Sequence, residues 1–267
     1  MTGAAGEPAV REHTRPVAGE TPARGSGTTA PGSGTALGPE LPSEVTEFVP
    51  LAVTLDGAGG ACVAGVTAEG RWLRPEPVTA AQVAGPDPVY AVHHPVRLPL
   101  GPATGDGARP EDRAAAGAPR RASPPAEPAR RAALLAAVAD PDVATAFAGG
   151  RSAGLVAVRP LGYHHQRSTG GRTFLRLEFT DNTGERFDWI VRDVRLLDAG
   201  PGEIALPAGP EAPLLYAAVG LTHPNHRFPG RFRGCHPLVV GLHPADGSPL
   251  LPNETSLEGT AGAPGTA

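Results

Sequence analysis

The sequence predicts an all-β chain: two small β-barrels in tandem, joined by a short helical connector and flanked by disordered tails. Three observations carry this. Apolar runs of strand length fall into two groups of about five, each punctuated by turn residues. A single run with helical period, at residues 128–148, separates the groups. Both ends of the chain lack any apolar period. The 267 residues include 36 Gly and 32 Pro, and aromatic residues are only 4%. Any core must therefore be built mainly from Val, Leu and Ala.

Taken in order, residues 1–46 are rich in Gly, Pro, Thr, Ala and Glu and read as a disordered tail. Met1 is the only methionine, which leaves room for a translation start further on, for instance near Val45. Residues 47–127 read as the first barrel. Residues 47–55 make its first strand and residues 61–74 a hairpin, in which a turn-rich Thr67 to Gly70 precedes Arg71-Trp72-Leu73-Arg74-Pro75. Residues 88–100 are extended but broken by Pro95 and Pro99, which places them at an edge. Residues 101–127 are Pro-, Gly- and Arg-rich and read as a loop, with Glu111 and Asp112 as solvated charges.

Residues 128–150 read as the connector. Ala129, Ala132, Leu135, Val138 and Val143 give a loose apolar stripe, Asp140-Pro141-Asp142 splits it, and Gly149-Gly150 ends it. Residues 151–243 read as the second barrel. One strand covers residues 153–160. The cleanest covers 172–181, with Thr173, Leu175, Leu177 and Phe179 on one face and Arg172, Phe174, Arg176 and Glu178 on the other. Asp181-Asn182-Thr183-Gly184 is a strong turn. Phe187, Trp189 and Val191 then alternate with polar positions, and residues 214–222 and 237–242 close the barrel. Residues 244–267 read as a second disordered tail.

The formal net charge of −4 argues against a general polyanion binder. The charge is uneven, however: residues 48–243 hold 20 of the 23 arginines and 18 of the 27 acidic side chains, and the chain has no lysine. The foldable part is slightly basic, which permits nucleic-acid binding without requiring it. The abundance of Ala, Gly, Pro and Arg together is what a GC-rich genome gives. Cys62 and Cys235 are too few and too far apart for a cysteine-based zinc site or a disulfide framework. There is no stretch of transmembrane length and no signal-peptide pattern at the start, so the expected place is the cytoplasm, with no membrane partner.

The residues also resemble a known family. Gly59-Gly60-Ala61-Cys62-Val63-Ala64-Gly65, the hairpin arm Gly70-Arg71-Trp72-Leu73-Arg74-Pro75, the strand at 89–100 followed by the acidic pair Glu111-Asp112, and the closing strands Val219-Gly220-Leu221-Thr222 and His236-Pro237-Leu238-Val239-Val240-Gly241 are similar, in that order, to the bacterial dual OB-containing domain. The chain departs from that pattern at His236-Pro237, where a lysine is expected, and at Gly220, where serine is usual. The resemblance implies two OB-like barrels and, at second hand, nucleic-acid binding.

An OB-like barrel binds single strands with aromatics for base stacking and cations for phosphate. The candidate contacts are Arg71, Trp72 and Arg74 in the first barrel, Phe174 and Arg176 in the second, and Arg227, Arg231 and Arg233, which are interleaved with Phe228 and Phe232 before the last strand. Each has a structural alternative: Trp72 as a core residue, Arg176 and Arg186 in cross-strand pairs with Glu178 or Asp188, Phe228 and Phe232 as anchors. The expected function is non-catalytic binding of single-stranded or structured RNA or DNA, without cofactor or metal, a protein partner remaining open. Two alternatives stand beside it. One is a protein-interaction or small-ligand sensor module using the cleft between barrels. The other is a metal-dependent hydrolase using His223, His226 and His236. No phosphate-binding loop, Rossmann fingerprint or nucleophile elbow is read in the chain.

Overall fold

A computed structural model describes residues 44–55, 60–105, 109–197, 208–209, 211–224, 232 and 234–251. The two predicted tails lie outside these residues, apart from Glu44 to Thr46 and Pro244 to Leu251. The chain is mostly strands, as predicted. The first barrel contains β1 (Glu44–Leu55), β2 (Gly60–Thr67), β3 (Trp72–Glu76), the short β4 (Val78–Thr79), α1 (Ala80–Val83), β5 (Val96–Ala103), β6 (Asp112–Ala115) and β7 (Arg120–Arg121). The connector holds α2 (Pro128–Val138) and α3 (Val143–Ala146). The second barrel contains β8 (Ala153–Arg167), β9 (Thr173–Thr180), β10 (Arg186–Val191), β11 (Leu215–Leu221) and β12 (Pro237–Pro244).

Both barrels are closed, and both close in the same order. In the first, β1 pairs β2, β2 pairs β3, β3 pairs β6 in parallel, β6 pairs β5, and β5 returns to β1. In the second, β8, β9, β10, β12 and β11 follow the same path, again with a parallel pair, β10 with β12. Each barrel is thus a 1-2-3-5-4-1 ring with parallel strands three and five.

The local chemistry accounts for the elements. Gly70 (φ 75°) ends a tight turn in which its N–H donates to the Thr67 carbonyl, 2.9 Å. Gly184 (φ 81°) does the same against Asp181, 3.0 Å. Alternation along β9 and β10 buries Leu175, Leu177, Phe179, Phe187, Trp189 and Val191, while Thr173, predicted on that face, stays exposed beyond the barrel rim. Proline at the first turn opens α2, and the Asp142 side chain caps α3 by accepting from the Thr145 N–H, 2.7 Å. The buried side of α2 is Arg131 and Leu135; Ala129, predicted on that stripe, is exposed.

Two predictions are corrected. Residues 101–127 are not simply a loop, because β6 within them is the closing strand of the first barrel. Its Asp-Arg-Ala-Ala sequence has no β-branched or aromatic residue to announce it. Nor is the 88–100 segment an edge. The strand begins only at Val96 and is interior, pairing β1 on one side and both β7 and β6 on the other; Pro99 falls in the gap between those last two pairings.

Three apolar clusters result: one inside each barrel and one between them. The third joins Leu51 and Ala52 of β1, Ala64 and Val66 of β2, Leu135 of α2, and Ala153, Leu155 and Ala218 of the second barrel. The strands meet closely here. A β-carbon on Gly241 of β12 would lie well inside contact distance of the Leu51 carbonyl oxygen. Gly241→Ala is therefore expected to destabilise the protein by about 1–3 kcal/mol, lowering Tm by several degrees. Thermal unfolding with Gly162→Ala as control checks this, since a β-carbon on Gly162 meets nothing within 4 Å.

Candidate functional site

The arginine and the acidic pair singled out in the sequence meet in the interior. Arg74 on β3 is 4% exposed, and Glu111 and Asp112 are each 4% exposed. The parallel pairing of Arg74 with Asp112 brings them together. Arg74 Nε donates to Asp112 at 2.5 Å, and its terminal nitrogen reaches Glu111 at 3.2 Å and the Ser152 hydroxyl at 2.8 Å. Ser152, just before β8, donates from its backbone N–H to Glu111 at 3.0 Å, and its hydroxyl also bonds Glu111. The expectation that Arg74 contacts a ligand, and that Glu111 and Asp112 are solvated, is corrected: these groups form a buried ionic joint between the barrels. A buried guanidinium stays charged and needs such partners.

Contrary to the expectation that the chain carries no nucleophile elbow, Gly150-Arg151-Ser152-Ala153-Gly154 does spell that pattern. The structure gives it a different role. Ser152 is 2% exposed, precedes a strand instead of following one into a helix, and bonds to Glu111 and Arg74 with no histidine among its partners.

The other first-barrel candidates separate. Arg71 is exposed, with a loose pair to Glu69 at 3.7 Å. Trp72 is half-buried against the inter-barrel cluster, and its indole N–H is buried without a hydrogen-bond partner. The hairpin therefore offers a ligand one arginine and no open aromatic platform.

In the second barrel the outer face of β9 and β10 carries Phe174, Arg176, Glu178, Arg186, Asp188 and Ile190. Phe174 and Arg176 are both half-buried. Arg176 bonds Asp188 at 2.9 Å and Gln166 at 3.1 Å, and Arg186 bonds Glu178 at 2.7 Å. Cross-strand pairing thus occupies both arginines. Arg167 and Arg172, flanking the β8–β9 turn, are exposed. Arg227, Arg231 and Arg233, with Phe228, lie outside the described residues. Phe232 is half-buried and packs on Phe147 and Trp189, centroids 5.2 and 5.9 Å away, so it is an anchor in the barrel core. His223 and His236 are exposed, and His226 lies outside the described residues; among the described residues no three metal-binding side chains are grouped.

A feature unread in the sequence is a pair of buried histidines linking the barrels. His243 on β12 is 0% exposed and His93, before β5, is 6% exposed. His243 Nε2 lies 2.9 Å from the Leu51 carbonyl oxygen, and its Nδ1 lies 3.0 Å from His93 Nε2. Burial, with Arg195 beside it, pushes His243 down to about 3. Burial, then the neighbouring His243, Arg195 and Arg131, holds His93 well below the usual histidine range. With both rings neutral the proton positions follow. A carbonyl only accepts, so His243 carries its hydrogen on Nε2 and accepts at Nδ1 from His93 Nε2–H. That leaves His93 Nδ1 as a bare acceptor, and it is buried without a hydrogen-bond partner. An unsatisfied buried acceptor of this kind destabilises by about 1–3 kcal/mol. His93 also stands at φ 65°, the one described non-glycine residue in the left-handed region. Beside it lies a cavity of about 170 Å³, lined by Tyr90, Val92, His93, Arg131 and Val194 among others.

Two outcomes are expected. Arg74→Ala should destabilise by about 3–5 kcal/mol, because it strands two buried carboxylates, while Arg71→Ala stays within about 0.5 kcal/mol of the parent; urea unfolding of the two variants checks the contrast. The histidine pair sets an acid limit. Both folded-state values lie below the unfolded value near 6.5, so the unfolded chain binds protons first. The stability this confers is full above pH 6.5 and is lost as pH falls toward 3, by about 1.4 kcal/mol per pH unit for each ring that stays neutral. Unfolding free energies between pH 7 and 4.5 should fall more steeply in the parent than in a His93→Asn, His243→Gln double variant.

The sequence matches no protein-family model and no curated protein, so the functional reading rests on the geometry and chemistry of the chain itself.

Proposed function

We propose that the protein is a non-catalytic binder of single-stranded or structured nucleic acid and that it binds through its second barrel. The observation that carries the reading is the strand order. A five-stranded 1-2-3-5-4-1 ring is the arrangement of the OB-fold, in which strands two and three, with the loops joining strands one to two and four to five, form the ligand face. In the second barrel those strands are β9 and β10, which carry Phe174 and Arg176. The first loop is bounded by Arg167 and Arg172. The stretch between β11 and β12 contains Arg227, Arg231 and Arg233. Phe174 and Arg176, chosen from sequence for their residue types, thus lie on a strand that would belong to this face.

The resemblance to the bacterial dual OB-containing domain agrees with this reading, as does the slightly basic balance of residues 48–243. Among the described residues no helix is long and apolar enough to cross a membrane, and a cytoplasmic place is part of the proposal. The first barrel serves as scaffold, since its ionic joint and its Trp72 are turned to the seam.

The test is fluorescence anisotropy of the full chain with labelled single-stranded RNA, single-stranded DNA and duplex DNA at two salt concentrations. Binding should favour the single strands and weaken with salt. Phe174→Ala should lose about 1–3 kcal/mol of affinity. A combined Arg227→Ala, Arg231→Ala, Arg233→Ala variant should reduce the salt dependence, while Arg71→Ala leaves affinity unchanged. No binding to any polynucleotide at low salt overturns the reading.

A further inference from the structure

Arg176 on β9 is pinned at all three of its nitrogens, and it pins Gln166 of β8 in turn. Its Nε donates to Asp188 Oδ1 at 2.9 Å, one terminal nitrogen donates to the Asp188 carbonyl, and the other donates to Gln166 Oε1 at 3.1 Å. A guanidinium only donates, so the carboxamide beside it presents its oxygen. Gln166 is exposed, and with the oxygen committed its free group is the NH2, which only donates. Arg176 is thus spent on β10 and on Gln166. On the outer face of the second barrel it is a positioning residue, not a phosphate contact. Gln166 stands directly opposite Phe174 in the β8–β9 ladder, one row beyond His164 opposite Arg176. Side chains that face each other in this way start about 4.5–5.5 Å apart, within reach of one planar ligand.

The committed oxygen decides what a base stacked on Phe174 would meet. A free glutamine donates and accepts together, which suits adenine, whose N6 amino group and N7 answer both. A glutamine that has given up its oxygen only donates. Uracil, cytosine and guanine each carry a carbonyl oxygen that accepts from it. Adenine carries none, and its N1 and N7 both flank the N6 amino group, whose hydrogens oppose a second donor. Phosphate contacts hold a strand in place but carry no base information, so the choice of base falls to groups at the base edge. We propose, resting on the reading that nucleic acid binds this face, that Gln166 is a specificity-determining residue. Held by Arg176, it selects a carbonyl-bearing base over adenine at the position stacked on Phe174.

The experiment measures anisotropy of labelled oligouridine, oligocytidine and oligoadenosine of equal length with the full chain. Oligoadenosine stacks on itself, so the quantity read is the change in the uridine-to-adenosine affinity ratio between parent and variant. Gln166→Ala should lower that ratio about three- to tenfold, the worth of one hydrogen bond, chiefly by weakening oligouridine. Arg176→Met frees the carboxamide oxygen and should lower the ratio by a similar factor, through a gain for oligoadenosine. Gln166→Glu keeps an oxygen on Arg176 but turns the free end from donor to acceptor. It should lower the ratio further than Gln166→Ala, and it carries the test where Arg176→Met does not fold. Oligocytidine should follow oligouridine in the parent and in Gln166→Ala. Absence of binding to all three overturns the nucleic-acid reading and this inference with it. Binding with an unchanged ratio in Gln166→Ala and Gln166→Glu, or with oligocytidine following oligoadenosine, leaves the nucleic-acid reading standing and overturns the base selection alone.

Discussion

The buried Arg74–Glu111–Asp112–Ser152 joint is the constraint on which the rest of this structure depends. Its members are far apart in sequence: Arg74 is 38 residues from Asp112 and 78 from Ser152. It can form only when three conditions are met together. The β3–β6 parallel pair must be in register, the first barrel must be closed, and the second barrel must begin where Ser152 can reach. A guanidinium at 4% exposure loses most of its hydration, so partial assembly leaves charge unpaired in an apolar setting. The joint therefore makes closure of the first barrel and docking of the second mutually dependent.

That dependence decides which surfaces are left to bind anything. The seam covers the outer side of β1 and β2 with α2 and the β8–β11 side of the second barrel. Trp72 goes with it. Arg192 reinforces the seam by donating to the Leu55 carbonyl at 2.6 Å, and Arg109 does so by donating to Leu221 at 3.0 Å. Both barrels have the same strand order, yet β2 of the first gives Ala64 and Val66 to the inter-barrel cluster, whereas no residue of β9 or β10 belongs to it. Equal topology thus leaves unequal surfaces, because one barrel's hairpin arm is consumed by the junction.

Much of the fold was legible in the sequence because its signals are local. Alternation at Leu175, Leu177 and Phe179, the turn at Asp181 to Gly184, and the break at Asp140-Pro141-Asp142 each act over a few residues. The parts that were not legible are those fixed by pairing at a distance. Asp112–Ala115 looks like loop because its strand state comes from β3 and β5, not from its own composition. Arg74 and Phe174-Arg176 look alike as strand residues beside aromatics; only the partner strand decides that one faces an interior carboxylate pair and the other the outside. His93 and His243 are 150 residues apart, and no spacing rule connects them. The ionic joint does leave a trace, since Trp-Xaa-Arg-Pro and the acidic pair each stand out in the sequence. What was missing was the parallel register that makes them one site.

The same geometry explains why several of the described arginines, in a chain without lysine, are spent on internal partners. Arginine donates from several nitrogens in a fixed plane, so one side chain can satisfy a carboxylate and a carbonyl at once. Arg195 bonds both oxygens of Asp193, at 3.0 and 2.7 Å, and the Leu242 carbonyl at 2.6 Å. Arg113 closes on the Gly101 carbonyl with two nitrogens, at 3.1 and 2.8 Å. Arg151 spans Asp140 at 2.6 Å and the Thr145 carbonyl at 2.7 Å. In a protein with few aromatics to fill its junctions, arginine stems and forks supply both apolar cover and carbonyl partners. A count of arginines in the sequence therefore overstates the charge available to phosphate. Among the described residues, Arg167 and Arg172 at the β8–β9 turn are exposed and stand apart from the pairs just named.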